Sequence, residues 1–152
     1  MKKILLTLLL GSQLFAYDVG NTIPPSMVQH LNIGGDKVYV IDFFASWCAS
    51  CQKEIPLIAK ANRSLDHTKV EIIGIDVDQN PENAEAFQKE LKAKDTLNFR
   101  VVNDPQNLVI STFNPVGMPT LYYVKDQKVM KIITGAVDAI DQQIQYDLKT
   151  MR

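Results

Sequence analysis

Two cysteines separated by two residues are the part of this sequence best suited to chemistry. They are Cys48 and Cys51, and the 152-residue chain has no other cysteine. Positions i and i+3 of a helix share one face, so the two sulfur atoms can meet. Cys48 would lie at the helix N-terminus, where free backbone N–H groups and the helix dipole stabilise a thiolate. Because the thiolate attacks in thiol–disulfide exchange, the pattern predicts Cys48 as nucleophile and Cys51 as the resolving cysteine.

Zinc binding, haem attachment and a structural disulfide are the alternative uses of this spacing. Structural zinc needs four ligands, but the sequence has no second cysteine pair and only the isolated His30 and His67. Haem attachment needs a histidine directly after the second cysteine, where this chain has Gln52. A disulfide that closes so short a loop restrains the unfolded chain little. We therefore predict a redox-active disulfide, with no metal and no other cofactor.

An apolar strand and a helix must hold the cysteine pair at the turn between them. The strand is predicted over Val38–Phe44, and the helix runs from Cys48 to about Leu65. Bulky residues on both sides favour burial of Asp42 within the strand, which would raise its pKa. The alternative is that strand alternation turns this carboxylate outward. Glu54, three residues after the second cysteine, either tunes the cysteine pair electrostatically or is a solvated helix carboxylate.

The rest of the chain alternates between strands and helices. One strand is a nearly continuous apolar run, which is typical of a sheet covered on both faces. The predicted elements are the strand Val70–Val77, a helix capped by Asn80 and running to about Lys94 with Ala86, Phe87, Leu91 and Ala93 inward, the strand Phe99–Val102, a short helix capped by Asp104, the hairpin strands Thr120–Val124 and Val129–Thr134, and a last helix capped by Asp138. This order predicts an α/β fold with a central mixed sheet between helices.

The segment Trp47-Cys48-Ala49-Ser50-Cys51, after its strand, resembles the thioredoxin superfamily. The following Cys-Gln-Lys-Glu-Ile-Pro, which includes Glu54, is similar to the TlpA/ResA/CcmG branch of bacterial extracytoplasmic thiol–disulfide oxidoreductases. The resemblance runs from about Lys37 to the C-terminus and implies a thioredoxin-like fold. Forty residues separate Asp78 from Pro119, and this strand-helix insertion before the proline motif also resembles that branch.

The resemblance extends to individual site residues. It implies that Pro119 is preceded by a cis peptide bond and lies against the cysteine pair, with the backbone of Met118 offered to the substrate. Together with Trp47, these residues would form a groove for an extended cysteine-containing peptide. Asp42 matches the buried aspartate of thioredoxins, which handles the proton of Cys51. Many members of the TlpA/ResA branch have asparagine at this position, so here the chain departs toward thioredoxin.

The N-terminal residues have the layout of an export signal. Residues 1–16 contain two lysines, an unbroken apolar run and a cleavage site for a secretory signal peptide. Leu14 at the −3 position is larger than such sites favour, so an uncleaved membrane anchor is the alternative. Residues 17–36 would be an N-terminal extension, and residues 37–152 the thioredoxin-like domain. The net charge of −1 gives no basic excess for nucleic acid.

The leading functional interpretation is a monomeric periplasmic reductant of disulfides in exported proteins. The resemblance implies apocytochrome c as a substrate, whose Cys-x-x-Cys-His is reduced before haem attachment, and a membrane thiol–disulfide transporter as electron donor. The pair between the cysteines, Ala49 and Ser50, differs from that of many relatives and leaves the direction open. The alternatives are an oxidant or isomerase of exported proteins and a non-catalytic peptide-docking module.

Overall fold

The computed structural model of the protein describes residues 16–151. The predicted signal peptide, residues 1–16, therefore lies almost entirely outside the described residues. From the first strand onward, the described helices and strands follow the predicted order. They are α1 Pro25–Leu31, β1 Val38–Phe44, α2 Ala49–Arg63, β2 Val70–Asp76, α3 Pro81–Ala93, β3 Arg100–Asn103, α4 Leu108–Phe113, β4 Thr120–Lys125, β5 Lys128–Thr134 and α5 Ile140–Thr150.

The five strands form one mixed sheet with the order β3-β2-β1-β4-β5. Strand β1 pairs in parallel with β2 and antiparallel with β4, and all seven of its residues are buried. Every side chain of a strand is buried only when both faces of the sheet are covered. The predicted α/β class with a central mixed sheet is confirmed. The turn that carries the cysteines directly follows β1, the middle strand of this sheet.

Helix α2 begins directly after the turn that follows β1 and packs against α5. Lys60 of α2 and Asp141 of α5 form an ion pair at 2.6 Å across this contact. Among residues 16–151, no helix is both long enough and apolar enough to cross a bilayer.

The helix caps agree only in part with the sequence pattern. Asn80 caps α3 as predicted, since its side chain accepts a hydrogen bond from a backbone N–H two residues later at 2.9 Å. Asp104 accepts from two N–H groups of α4, although that helix begins only at Leu108. The predicted cap of α5 is wrong, because the cap position falls on Ala139 rather than Asp138 and its side chain makes no capping hydrogen bond.

The buried face of α3 also differs from the predicted one. Leu91 is buried as expected, but Ala86 and Ala93 are exposed. The buried stripe runs through Ala84, Gln88 and Leu91. Residue type alone pointed to the alanines and missed Gln88, which is buried because its amide bonds to a buried carboxylate at the end of β2.

The segment before β1 is built into the same core as the rest of the domain. Its backbone pairs with the start of β5, where the Gly20 N–H donates to the Val129 carbonyl at 2.7 Å and Val129 donates back to Asn21 at 2.9 Å. The apolar side chains that it adds to the core are Ile23, Met27, Leu31 and Ile33.

Candidate active site

The two cysteines form a disulfide at the start of α2. Their Cα atoms are 5.3 Å apart. Cys48 is 8 % exposed and Cys51 only 1 %, so Cys48 is the sulfur that faces the surface. The Cys51 sulfur lies 4.0 Å from the carbonyl oxygen of Phe43 on β1, against the protein interior. The roles of Cys48 as the attacking cysteine and Cys51 as the resolving cysteine stay a prediction, and this difference in exposure is what that prediction requires.

Cys48 occupies the N-cap position of α2. Its backbone is extended, and its sulfur accepts a hydrogen bond from the Cys51 backbone N–H at 3.3 Å. An N-cap side chain normally accepts from a free N–H of the first turn, and these N–H groups favour negative charge. The Ser50 hydroxyl lies 3.6 Å from the same sulfur. The arrangement can therefore stabilise a Cys48 thiolate when the disulfide opens.

Asp42 is buried, as its bulky neighbours on β1 predicted. It is 1 % exposed, and its Oδ1 has no hydrogen-bond partner among the described residues. Burial, and after it the negative charge of Glu54, raises the pKa of Asp42 to about 8. A carboxyl group in this environment can hold a proton near neutral pH and exchange it with a thiol.

Glu54 is also buried, so the interpretation as a solvated carboxylate is wrong. It is 3 % exposed, and its Oε1 accepts a hydrogen bond from the Val137 N–H in the loop between β5 and α5. Burial raises the pKa of Glu54, and the hydrogen bond from Val137 opposes that shift. Its second oxygen, Oε2, has no partner among the described residues.

Met118 and Pro119 lie directly before β4. The peptide bond between them is cis, Pro119 is buried and Met118 is half-buried. Thr120 pairs with Phe43, which places the preceding proline beside the end of β1, where the cysteine turn begins. The Pro119 carbonyl accepts from Gly135 at 2.9 Å, tying this segment to the end of β5.

A groove of about 730 Å³ opens beside the disulfide turn. Trp47 lines its wall and is 67 % exposed, and Met118 lines it as well. The remaining lining comes from the end of β2, the start of α3 and the α4 region, and includes Asp78, Asn80, Asn83, Asn107, Ile110 and Ser111. The insertion between Asp78 and Pro119 thus builds one side of the groove.

Asp78 is a site residue that the sequence pattern did not reveal. It is 3 % exposed and accepts two hydrogen bonds from Ser46 in the cysteine turn. One signal was available, since an acid directly after a buried parallel strand lies at the edge of the sheet where ligands commonly bind. No cluster of three or more metal-binding side chains occurs within residues 16–151.

Comparison with known proteins agrees with this geometry. The sequence model of a family described as thioredoxin-like matches residues 35–130. The thiol-disulfide oxidoreductase ResA of Geobacillus thermodenitrificans is 28% identical over 135 residues, which are 83% of this chain and 75% of ResA. ResA of Bacillus subtilis is 28% identical over 98 residues, 64% of this chain and 52% of that protein. This chain therefore spans three quarters of the first relative and about half of the second.

Solved structures share the fold at lower identity. A thiol:disulfide interchange protein DsbE from Chlorobium tepidum superposes with a TM-score of 0.74 at 18% identity, over 89% of this chain and 98% of that one. StoA from Bacillus subtilis superposes with a TM-score of 0.64 at 19% identity, over 74% of this chain and 83% of that one. The chain belongs to the thioredoxin-like family, in the TlpA/ResA/CcmG-like branch of thiol–disulfide oxidoreductases.

Proposed function

We propose that the protein reduces disulfides of exported proteins in the periplasm. The observation that carries the proposal is the Cys48 sulfur at the N-cap of α2, 3.3 Å from the Cys51 N–H. This contact favours the thiolate that exchange chemistry needs. It sits beside a groove large enough for a polypeptide segment.

The reaction proceeds in two exchange steps. The reduced Cys48 thiolate attacks one sulfur of the substrate disulfide, forming a mixed disulfide and releasing the other substrate sulfur as a thiolate. The Cys51 thiol then gives its proton to Asp42 and attacks the Cys48 sulfur. The second substrate sulfur leaves as a thiolate, and the Cys48–Cys51 disulfide remains. A pKa of about 8 for Asp42 lies close to the roughly 8.5 of an ordinary thiol, so this proton transfer is nearly balanced.

The reducing direction is supported by the two buried acids. A dithiol site becomes oxidising when its reduced, thiolate form is stabilised. Asp42 directly precedes Phe43, whose carbonyl oxygen lies 4.0 Å from the Cys51 sulfur. Asp42 and Glu54 are 1 % and 3 % exposed. Negative charge in a buried site disfavours a second negative charge close by. Any negative charge that this pair of acids carries therefore offsets the stabilisation that the helix N-terminus gives to the Cys48 thiolate.

The substrate docks across Trp47, Met118 and Pro119. An extended segment next to the substrate cysteine pairs with the backbone at Met118, in the manner of an added strand. The exposed Trp47 ring contacts its side chains, and the groove beside Trp47 takes the residues that follow. The half-buried Met118 side chain is flexible and suits an adaptable apolar contact.

Apocytochrome c with an oxidised Cys-x-x-Cys-His segment is the proposed substrate, and a membrane thiol–disulfide transporter is the proposed electron donor. The protein reaches the periplasm through residues 1–16 and acts there as a monomer. Similarity to ResA proteins supports the redox chemistry of this proposal, and the layout of residues 1–16 supports export. A peptide with an oxidised Cys-x-x-Cys-His segment tests the substrate directly.

Two measurements test the function itself. Reduction of insulin disulfides with a thiol donor should be accelerated, whereas a folded protein without activity would favour a peptide-docking module. Equilibration with glutathione gives the reduction potential, and family values run from about −270 mV for thioredoxin to about −120 mV for the oxidant DsbA. We expect the reducing half of this range. A value near the oxidising end would favour the oxidant or isomerase.

A further inference from the structure

Ser46, in the turn between β1 and α2, is held through all of its polar groups. Its N–H donates to Asp78 Oδ2 at 2.8 Å, and its hydroxyl donates to Asp78 Oδ1 at 2.8 Å. Its carbonyl accepts from the Gln52 side chain on the first turns of α2. The two oxygens of one carboxylate therefore clamp a single residue, 32 positions away in the sequence.

Asp78 is itself held in place from the sheet and from α3. Its N–H donates to Asp76 Oδ1 at 3.0 Å, and Asp76 Oδ2 accepts from Gln88 at 2.8 Å. Asp76 is 0 % exposed and Gln88 9 %. Hydrogen bonds thus run without interruption from α3 through the end of β2 to the cysteine turn. A fully satisfied buried network of this kind rigidifies the groups that it joins.

The clamped residue lies two positions before Cys48 in the sequence. Between them the chain makes a tight turn, in which the Cys48 N–H donates to the Ala45 carbonyl at 3.1 Å. The same turn is tied to the end of β2 by the Val77 N–H, which donates to the Phe44 carbonyl at 3.0 Å. A shift of Ser46 therefore moves Cys48 relative to the first turn of α2.

We propose that Asp78 is a positioning residue for Cys48: by clamping Ser46, it keeps the Cys48 sulfur at the N-cap, in contact with the Cys51 N–H. The proposal rests on the proposed role of Cys48 as the attacking cysteine. Asp78 acts here through geometry, since both of its carboxylate oxygens accept from Ser46. Within residues 16–151 the Asp78 side chain makes no hydrogen bond to either sulfur. The negative charge of Asp78 alone would disfavour a nearby thiolate and raise the pKa of the Cys48 thiol. The clamp has the opposite effect, because it keeps the sulfur next to a hydrogen-bond donor.

Three substitutions separate geometry from charge. Asp78→Asn removes the charge but can still accept from the Ser46 N–H and donate to the Ser46 oxygen. Asp78→Ala removes both hydrogen bonds, and Ser46→Ala removes only the one from the hydroxyl. All three are made together with Cys51→Ala, which leaves Cys48 as the single thiol and keeps the backbone N–H of residue 51. Asp42 and Glu54, the other carboxyl groups packed near the cysteine pair, are unchanged.

The readout is the rate of Cys48 alkylation by iodoacetamide as a function of pH. Asp78→Ala should raise the pH midpoint by about one unit and slow alkylation at pH 7 by up to about tenfold, because the thiolate loses its hydrogen-bond donor. Ser46→Ala should fall between Asp78→Ala and the parent. Asp78→Asn should stay within about twofold of the parent rate.

Asp104→Ala is the matched control. Asp104 is also 3 % exposed and its carboxylate also accepts two hydrogen bonds, but from the Val109 and Ile110 N–H groups rather than from the cysteine turn. Its removal should destabilise the fold, as urea unfolding will show, without moving the alkylation profile. If Asp78→Ala does not fold, the test compares the alkylation profiles of Ser46→Ala and Asp78→Asn instead.

Two results would overturn the proposal. One is an Asp78→Ala or Ser46→Ala profile that coincides with the parent and with Asp104→Ala. The other is a lower pH midpoint in both Asp78 variants, which would assign the effect to charge. Alkylation needs no protein substrate. A protein inactive on insulin with a shifted profile would therefore refute the proposed function alone, and an active protein without a shift would refute the clamp alone.

Discussion

Asp42 of β1 and Glu54 of α2 are buried carboxyl groups that interact: the negative charge of Glu54 adds to burial in raising the pKa of Asp42. Each also leaves one oxygen, Asp42 Oδ1 and Glu54 Oε2, without a hydrogen-bond partner among the described residues. Two such groups cannot both ionise cheaply. This pair of acids therefore holds a proton at neutral pH. Asp42 directly precedes Phe43, whose carbonyl oxygen lies 4.0 Å from the Cys51 sulfur.

The raised pKa of Asp42 makes folding stability depend on pH. The folded state keeps the Asp42 proton up to about pH 8, whereas the unfolded chain loses it near 3.8. Between these values the folded state binds more protons, so the free energy of unfolding falls as pH rises, by at most about 1.4 kcal/mol per pH unit. Asp42→Asn in the oxidised protein should flatten this slope and be more stable than the parent at pH 8. Urea unfolding from pH 4 to pH 8 measures both.

Carboxyl groups that do not interact with Asp42 cancel in this comparison. Hydrogen bonds from Thr68 and Lys60 lower the pKa values of Asp66 and Asp141, which gives them a contribution of opposite sign at acid pH. Both are present in the parent and in Asp42→Asn, so they cancel in the difference. Parallel curves for the two proteins between pH 4 and pH 8 would contradict the raised pKa.

Asp42→Asn should also separate the two chemical steps. Because Asp42 takes the proton of Cys51, the variant should slow resolution of the mixed disulfide by about 10²-fold or more while leaving the first attack by Cys48 within a few-fold. Stopped-flow mixing of the reduced protein with a disulfide substrate resolves the two phases. Equal slowing of both phases would show that Asp42 acts on Cys48 or on the fold.

The two cysteines should behave differently when removed. Cys51→Ala leaves Cys48 at the N-cap and should accumulate a mixed disulfide with a target protein. Cys48→Ala leaves Cys51, which is 1 % exposed, and should trap little. Non-reducing gels and mass spectrometry count the adducts. Equal trapping by both variants would contradict the assignment of Cys48 as nucleophile.

Trp47→Ala tests the docking surface. The indole is 67 % exposed, so its removal should change the free energy of unfolding little. As an aromatic anchor for the substrate it should contribute about 1–2 kcal/mol, a five- to thirtyfold loss in kcat/KM on protein disulfides. Reduction of a small disulfide such as oxidised glutathione is the control and should stay near the parent rate. Equal loss on both substrates would place the effect in the chemistry rather than in docking.

Gly74 on β2 is needed for packing behind the cysteine turn. A Cβ there would lie 2.6 Å from Phe44 Cε1 and 3.0 Å from Phe99 Cε2. Gly74→Ala should therefore destabilise the protein by about 1–3 kcal/mol through overpacking. Gly34→Ala, whose Cβ would meet nothing within 4 Å, is the control and should be nearly neutral. Equal urea unfolding midpoints for Gly74→Ala and Gly34→Ala would contradict this prediction, because they would mean that the Phe44 and Phe99 rings move aside without loss of stability.

The features visible in the sequence are those set by neighbouring residues. The apolar run Val38–Phe44 gave the central strand with its observed bounds, and the spacing of the cysteines gave their place at the start of α2. The environment of Glu54 could not be settled locally, because it depends on Val137, 83 positions away. The clamp by Asp78 was missed for the same reason, since only the fold brings it to Ser46.

The inward face of α3 shows a different limit. Choosing apolar residues at helical spacing favoured Ala86 and Ala93, but the buried stripe passes through Gln88. An amide is stable there because Asp76 accepts its hydrogen bond at 2.8 Å. Periodicity indicates that a helix is amphipathic. It does not show which residues face the core when a polar side chain such as Gln88 is buried against a hydrogen-bond partner.

The segment that pairs with β5 has a consequence for solubility and for the design of shortened variants. An outer strand with unpaired backbone groups invites other chains to add to the sheet, and here Gly20 and Asn21 occupy the backbone of Val129. A chain cut to begin at Lys37 would uncover this strand and leave Ile23 and Leu31, both 0 % exposed, out of the core. Such a fragment should aggregate, so fragments for study need to retain the chain from Tyr17 onward.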